Sequence, residues 1–184
     1  ELAFEPGSTW QYGPGLSVAG RVVEIVSGKP FEQFLAERIF TPLEMTQTSF
    51  HPTGEQLKKV AMLYQPTADK ADIERGNHWL YEVTADTSPN PSGGLFSTAG
   101  DLVRFYQMVL NGGDLNGKRI LSANAVKQMT SLQTDDLEAG FTPGTGWGLG
   151  FSLVRQPEGA TDTLSPGSYG HGGAFGTQGW LDPT

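Results

Sequence analysis

Residues 169–180 read Tyr-Gly-His-Gly-Gly-Ala-Phe-Gly-Thr-Gln-Gly-Trp, a glycine-rich run with one histidine near the C-terminal end of the sequence. The run is typical of a strand, yet glycine inside a strand weakens it and usually marks a close approach of a ligand or of another backbone. We therefore predict a strand that borders a cleft. His171 is the candidate functional side chain of this strand.

Composition excludes several function classes. The chain has 184 residues, which allows one domain or part of a larger one, and its net charge is −8. This charge and the absence of a Lys/Arg cluster argue against a nucleic-acid partner. The sequence contains no cysteine, so disulfides, thiolate metal sites and a cysteine nucleophile are excluded.

The three histidines, His51, His78 and His171, lie far apart in the sequence. They form no close pair of potential ligands, so the sequence predicts no metal site, and it gives no sign of a cofactor. No apolar run approaches the roughly 20 residues that span a bilayer, so we predict no membrane span.

The first half of the chain predicts two helices followed by a long polar segment. Residues 16–26 are almost all apolar, which indicates a buried helix that ends at Gly28. Pro30 is placed to open a second helix. Residues 46–91 are polar and weakly periodic, with short strands possible at 60–64 and 79–83.

The second half predicts helices and then strands. Thr98 is a good N-cap for a helix that runs to Leu110, and Ser122 is a cap for another. Residues 147–154 form a predicted strand, which pairs antiparallel with the His171 strand. This order predicts the α+β class, with helices packed on an antiparallel sheet.

Several blocks of this sequence resemble one family in the right order. They are Glu5–Tyr12, Gly20–Gly28, Phe34–Met45, Ser92–Leu102 and the Gly170-His171-Gly172-Gly173 run. The family is that of the serine β-lactamases and penicillin-binding-protein-like hydrolases. The resemblance is greatest to the group of class C β-lactamases, D-aminopeptidases and β-lactamase-like esterases, and it covers the C-terminal half of that fold.

The resemblance implies a mechanism with a serine nucleophile in a Ser-x-x-Lys turn, assisted by a lysine and a tyrosine. By position, Tyr12 is the proton-handling tyrosine, which acts as a base only where positive charge stabilises its phenolate. His171 stands where many relatives carry the lysine of Lys-Thr-Gly. There it would hold a substrate carboxylate or tune Tyr12, while Gly172, Gly173 and the N–H of Ala174 would line the oxyanion and substrate site.

Two departures from the family pattern bear on the substrate. The tyrosine motif is often Tyr-x-Asn in the family, but here it reads Tyr12-Gly13-Pro14, and proline offers no side-chain hydrogen bond to a substrate amide. The change from lysine to His171 acts in the same direction. Both favour an esterase or a peptidase over an efficient β-lactamase, and a small ester, a D-peptide and a β-lactam all stay open as substrates.

The sequence contains no Ser-x-x-Lys motif. In the family this motif precedes the tyrosine block, so we expect it before Glu1. Residues 1–184 are then the C-terminal portion of one β-lactamase-like domain, truncated at both ends, inactive alone and prone to self-association through open sheet edges. The resemblance is compatible with an exported or periplasmic location.

Two other interpretations stay open at this point. The chain could be a non-catalytic relative that keeps the cleft for binding cell-wall peptides or esters. It could also be an unrelated structural α+β domain.

Overall fold

A computed structural model describes residues 2–76 and 78–184 of the chain. The helical segments, in chain order, are α1 (Gly15–Ser27), α2 (Phe31–Leu35) with a π-helical turn at Ala36–Phe40, single 3-10 turns at Leu57–Lys59 and Trp79–Glu82, α3 (Ala99–Leu110), α4 (Ala123–Met129) and a 3-10 turn at Gly159–Thr161. The strands are β1 (Tyr64–Pro66), β2 (Ile73–Arg75), β3 (Asp114–Leu115), β4 (Lys118–Arg119), β5 (Thr145–Trp147), β6 (Ser152–Val154), β7 (Tyr169–Gly172) and β8 (Gln178–Leu181). This mixture confirms the predicted α+β class.

The chain divides into two compact units, which are described separately. One unit is Ser17–Leu102, and the other joins the residues up to Leu16 with Val103–Thr184. According to their places in the sequence, we call the first the inner unit and the second the outer unit. The prediction that residues 1–184 form part of a single domain stays a prediction.

The inner unit has a small apolar core of Leu43, Met45 and Phe50. In the described residues of its long polar segment there is one short hairpin, in which β1 pairs antiparallel with β2 and Tyr64 lies opposite Arg75. The predicted strand at 60–64 is thus displaced toward the C-terminus. The predicted strand at 79–83 is wrong, because Trp79–Glu82 forms a helical turn.

Helix α1 forms where the sequence predicts it, but the prediction that it is buried is wrong. Gly20 is its only buried residue, whereas Val18, Ile25 and Val26 are exposed. Gly20 is required by close packing, since a Cβ there would lie 2.3 Å from Cγ of Pro91. The apolar residues therefore predicted the position of the helix correctly, but they did not predict how much of its surface is buried.

The outer unit is organised around a four-stranded antiparallel sheet with the order β5-β6-β7-β8. The pairing of β6 with β7 places Ser152 opposite Gly170, and the pairing of β7 with β8 places His171 opposite Gly179. This confirms the predicted pairing of the two segments. The buried apolar side chains of this unit are Met108, Val109, Val126, Ala139, Trp147, Phe151, Leu153, Val154, Tyr169 and Leu181.

Each of the two predicted single strands is in fact a hairpin. Residues 147–154 contain the end of β5, a reversal with Gly150 at φ 91°, and all of β6. Residues 169–180 contain β7, a turn with Gly176 at φ 82°, and most of β8. A positive φ is available to glycine at little cost, so these glycines permit reversals where the apolar pattern alone predicts continuous strands.

Both predicted helix caps are confirmed. The Thr98 side-chain oxygen accepts a hydrogen bond from the Asp101 N–H at 3.2 Å, and the Ser122 hydroxyl accepts one from the Ala125 N–H at 3.1 Å. Each bond satisfies a backbone donor that the first turn of a helix leaves free. These caps depend on residues three apart in sequence, which is why they could be predicted locally.

Candidate active site

A cavity of about 410 Å³ in the outer unit contains all five residues predicted for the site. Tyr12 comes from the segment before α1, and His171, Gly172, Gly173 and Ala174 come from β7 and the turn after it. The other residues of the wall are Phe141, Thr142, Trp147, Ser152, Ala160, Gln178 and Trp180. The fold thus brings together two motifs that lie near opposite ends of the sequence.

Tyr12 lies at the mouth of this cavity, with 49% of its surface exposed. Its ring lies 6.1 Å from the His171 ring, centroid to centroid, and 4.8 Å from the Phe141 ring in an edge-on arrangement. The hydroxyl is therefore carried by an aromatic ring with neighbours on more than one side. This packing limits the positions that the ring can adopt.

The imidazole ring of His171 is oriented by a hydrogen bond to the backbone of the next residue. Its Nδ1 makes a short hydrogen bond with the carbonyl oxygen of Gly172. A carbonyl only accepts, so Nδ1 carries the proton in this bond, and Nε2 is the nitrogen with the free electron pair when the ring is neutral. The ring also packs edge-on against Trp147, with centroids 5.1 Å apart.

The glycines of β7 allow close backbone approach, as the sequence predicted. A Cβ at Gly170 would lie 2.1 Å from the carbonyl oxygen of Gly179 on the paired strand. A Cβ at Gly173 would lie 2.0 Å from the Thr177 side-chain oxygen. Side chains at these positions would thus force the hairpin beside the cavity to shift.

Two backbone N–H groups in the turn after β7 differ in whether they are already hydrogen-bonded. The Gly173 N–H donates to the Thr177 carbonyl at 2.7 Å, so it already serves the hairpin. The Ala174 N–H has no such bond to any described residue, and Ala174 is exposed on the cavity wall. The assignment of Ala174 as an oxyanion donor stays a prediction, as do the roles of Tyr12, His171 and the two glycines.

Sequence reasoning missed an aromatic wall along one side of the cavity. Trp10 stacks on Trp147 with ring centroids 5.2 Å apart and an interplanar angle of 25°. Phe141 packs on Tyr12 and lies 6.3 Å from Trp10. We call Trp10, Tyr12, Phe141 and Trp147 the aromatic wall. Tyr12, Phe141 and Trp147 line the cavity, and Trp10 packs on Trp147 without being one of the lining residues. Nothing in the local sequence indicates that these rings meet, because they come from three separate segments.

Trp147 is the most buried member of the aromatic wall. Only 9% of its surface is exposed, and its indole Nε1 finds no hydrogen-bond partner within residues 2–76 and 78–184. A buried N–H without a partner is uncommon, since it loses its hydrogen bond to water on folding. The indole ring of Trp147 is thus held in place by ring packing rather than by a hydrogen bond from its Nε1.

The described cavity wall contains no Asp, Glu, Lys or Arg. Its titratable side chains are Tyr12 and His171. The hydroxyl of Tyr106, on α3, lies next to Gly179, and a Cβ at Gly179 would be 2.1 Å from it. Burial raises the pKa of the Tyr106 phenol, which keeps the group neutral. The site thus presents aromatic rings, backbone amides and a few neutral polar side chains rather than fixed charges.

The described residues contain no cluster of three or more His, Asp or Glu side chains that could hold a metal ion. None of their helices is both long enough and apolar enough to cross a membrane.

Comparison with known proteins identifies the family. The family model named Beta-lactamase matches residues 1–184, and the chain therefore belongs to the beta-lactamase family. The relatives include hydrolases named as esterases and carboxypeptidases, which confirms the predicted resemblance.

Two curated relatives illustrate the range of the family. A putative D-alanyl-D-alanine carboxypeptidase of Escherichia coli O157:H7 is 32% identical over 196 residues, covering 99% of this chain and 44% of the relative. The lovastatin esterase of Penicillium rubens is 52% identical over 58 residues, covering 31% of this chain and 14% of the relative. The chain spans less than half the length of the curated relatives that match all or nearly all of it.

Among solved structures, EstCE1, described as a hydrolase with promiscuous acyltransferase activity, superposes with a TM-score of 0.79 at 22% identity. The superposition covers 100% of this chain and 50% of EstCE1. This similarity confirms the predicted β-lactamase/transpeptidase-like fold.

Proposed function

We propose that this chain is the C-terminal portion of a serine hydrolase that works through an acyl-enzyme. Its nucleophile, in a Ser-x-x-Lys turn, would lie in a part of the full-length protein outside residues 1–184. Family membership and relatives named as esterase and carboxypeptidase support the general class. The observation that carries the specific proposal is that Tyr12 and His171–Ala174 line one cavity.

The proposed chemistry uses this cavity for proton handling and charge stabilisation. The serine oxygen attacks the substrate carbonyl, the bond from that carbon to the leaving oxygen or nitrogen breaks, and the serine proton passes through Tyr12 to the leaving group. Water then attacks the acyl-enzyme and releases a carboxylic acid, which restores the serine. The Ala174 N–H would stabilise the oxyanion in both steps.

His171 has a supporting part in this proposal. With Nδ1 bonded to the Gly172 carbonyl, Nε2 is the ring nitrogen left to hydrogen-bond to Tyr12 or to the substrate. The Tyr12 and His171 rings, 6.1 Å apart, are close enough for such a bond to form directly or through one water molecule.

The test is covalent labelling of the full-length protein with a fluorophosphonate, read as intact mass. We expect one adduct, on a serine outside residues 1–184, and no adduct on residues 1–184 expressed alone. Tyr12→Phe should lower kcat for a neutral ester by about 10²–10⁴-fold, the usual range for loss of a proton-transfer group. Tyr64→Phe, which alters an exposed tyrosine of the inner unit, is the matched control and should retain the rate.

Absence of any adduct and of ester turnover would refute the hydrolase proposal and favour a binding module that uses the same cavity. An adduct on full-length protein combined with normal kcat in Tyr12→Phe would retain the hydrolase but remove the proposed role of Tyr12.

A further inference from the structure

The aromatic wall is a preassembled apolar surface. Its members pack on one another, with Trp10 stacked on Trp147 and Phe141 edge-on to Tyr12. Aromatic side chains provide much contact area and lose little conformational entropy when a ligand binds. An apolar group of matching shape would gain contact here at little ordering cost.

Phe141 is the member of the wall that is best placed to contact a ligand. Its side chain is 70% exposed, so much of its ring is available for further contact. The loop that carries it is restrained by a hydrogen bond from the Thr145 hydroxyl to the Thr142 carbonyl at 2.6 Å. On the other side of Phe141 the chain packs closely, since a Cβ at Gly140 would lie 2.6 Å from the Thr145 side-chain oxygen.

The described cavity wall contains no Asp, Glu, Lys or Arg, and this disfavours an anionic ligand. A carboxylate that leaves water needs a cation or several hydrogen-bond donors in return. No Lys or Arg is among the described lining residues, whose polar side chains such as Thr142, Ser152 and Gln178 are neutral. Because Nδ1 of His171 donates to a backbone carbonyl, Nε2 of the neutral ring offers an electron pair rather than a proton to an anion. A neutral ester avoids this cost.

The size of the cavity also limits the ligand. Its volume of about 410 Å³ lies toward the lower end of the range of about 300–1,000 Å³ for small-molecule sites. A single aryl or branched alkyl group fits this volume beside a carbonyl.

We propose that the acyl group accepted by this cavity is uncharged and apolar, aryl or branched alkyl, and that Phe141 is a specificity-determining residue for it. This inference rests on the proposed hydrolase function. It selects neutral esters over substrates that carry a free carboxylate.

The experiment compares 4-nitrophenyl esters with the full-length protein, so that the leaving group is constant. One pair is phenylacetate and acetate, which differ in the apolar group. The other is 4-methoxycarbonylphenylacetate and 4-carboxyphenylacetate, which have similar size but differ in charge. The measured quantity is kcat/KM for each ester, with fluorophosphonate labelling as an independent readout of the nucleophile.

We expect the methoxycarbonyl ester to exceed the carboxylate ester by about 10-fold or more in kcat/KM, because the charge is uncompensated. Phe141→Ala should lower the ratio of phenylacetate to acetate by about 5- to 10-fold, since part of an aromatic contact is lost. Leu149→Ala, an exposed apolar residue of the same unit outside the cavity wall, should leave that ratio unchanged.

The outcomes separate the two proposals. Normal labelling and turnover with equal or better use of the carboxylate ester, or with an unchanged ratio in Phe141→Ala, would overturn the specificity inference alone. Absence of both labelling and turnover of every ester would overturn the hydrolase proposal, and the inference with it.

Discussion

The substitution Gly170→Ala tests whether the glycines of β7 are required by packing. A Cβ at position 170 would lie 2.1 Å from the Gly179 carbonyl oxygen and 2.8 Å from Cα of Trp180. Both obstacles are backbone atoms of β8, so β8 itself must shift. Gly172→Ala is the matched comparison, since its Cβ would meet only the end of the exposed Gln178 side chain, at 3.1 Å.

The expected magnitudes follow from these contacts. Overpacking costs about 1–3 kcal/mol, and replacing glycine by alanine returns about 0.4–1 kcal/mol by restricting the unfolded chain. Because both obstacles are backbone atoms, the cost should lie in the upper half of its range, and Gly170→Ala should lower the free energy of unfolding by about 1–2.5 kcal/mol. Gly172→Ala should change it by less than about 1 kcal/mol, because the Gln178 side chain can move aside at the loss of one exposed hydrogen bond from Trp180 Nε1.

The assay is urea unfolding followed by tryptophan fluorescence. With an m-value of about 2 kcal/mol/M, Gly170→Ala should lower the midpoint by about 0.5–1.2 M. Gly172→Ala should leave it close to that of the parent protein. A Gly170→Ala protein as stable as the parent, or one more stable than Gly172→Ala, would refute the packing argument.

Three further predictions concern other parts of the chain. Hydrogen bonds from Thr184 and Ser165 lower the pKa of Asp182 from 3.8 to about 2, so the stability they confer is complete above a pH of about 4 and is lost as the pH falls through about 2. NMR titration of the Asp182 carboxyl carbon should give this midpoint, and one near 4 would contradict it. Asp101 is buried and accepts hydrogen bonds from the Gln47 N–H and the Thr48 hydroxyl, both at 2.8 Å, so Asp101→Ala should lower the free energy of unfolding by about 1–3 kcal/mol. Glu55→Ala, which removes an exposed ion pair with Lys58, is the control and should cost less than about 1 kcal/mol; equal costs would show that the Asp101 bonds contribute little. Burial raises the pKa of Tyr106 and of Tyr169, so a spectrophotometric titration should show a late tyrosine phase above a pH of about 10. Tyr106→Phe should reduce that phase, and an unchanged late phase would contradict the assignment.

Features that depend on neighbouring residues could be predicted from the sequence. The caps at Thr98 and Ser122 involve residues three positions apart, and both are present. The association of Tyr12 with the His171 strand came from the order of motifs in a known family rather than from periodicity. The cavity they share is consistent with that reasoning.

Features that depend on distant residues could not be predicted in the same way. Apolar residues along α1 predicted a buried helix, yet residues such as Val26, 82% exposed, remain open in the described structure. Hydrophobicity indicates which surface favours burial, but it does not specify a covering partner. The aromatic wall shows the same limit, because Trp10, Phe141 and Trp147 meet only through tertiary packing.

The site residues of this chain divide into two kinds with different tolerance to change. The β7–β8 hairpin places backbone groups, and a Cβ added at Gly170 or at Gly179 would lie 2.1 Å from a neighbouring oxygen atom, so neither position has room for a side chain. Phe141, by contrast, is 70% exposed on a loop, so its replacement removes ring contacts with Tyr12 and Trp10 but leaves the buried core intact. Backbone geometry would thus set the oxyanion chemistry while the loop sets the acyl group. It follows that substitutions at Phe141 should change the ratio between esters without changing the stoichiometry of fluorophosphonate labelling, whereas distortion of the hairpin should impair the turnover of every ester.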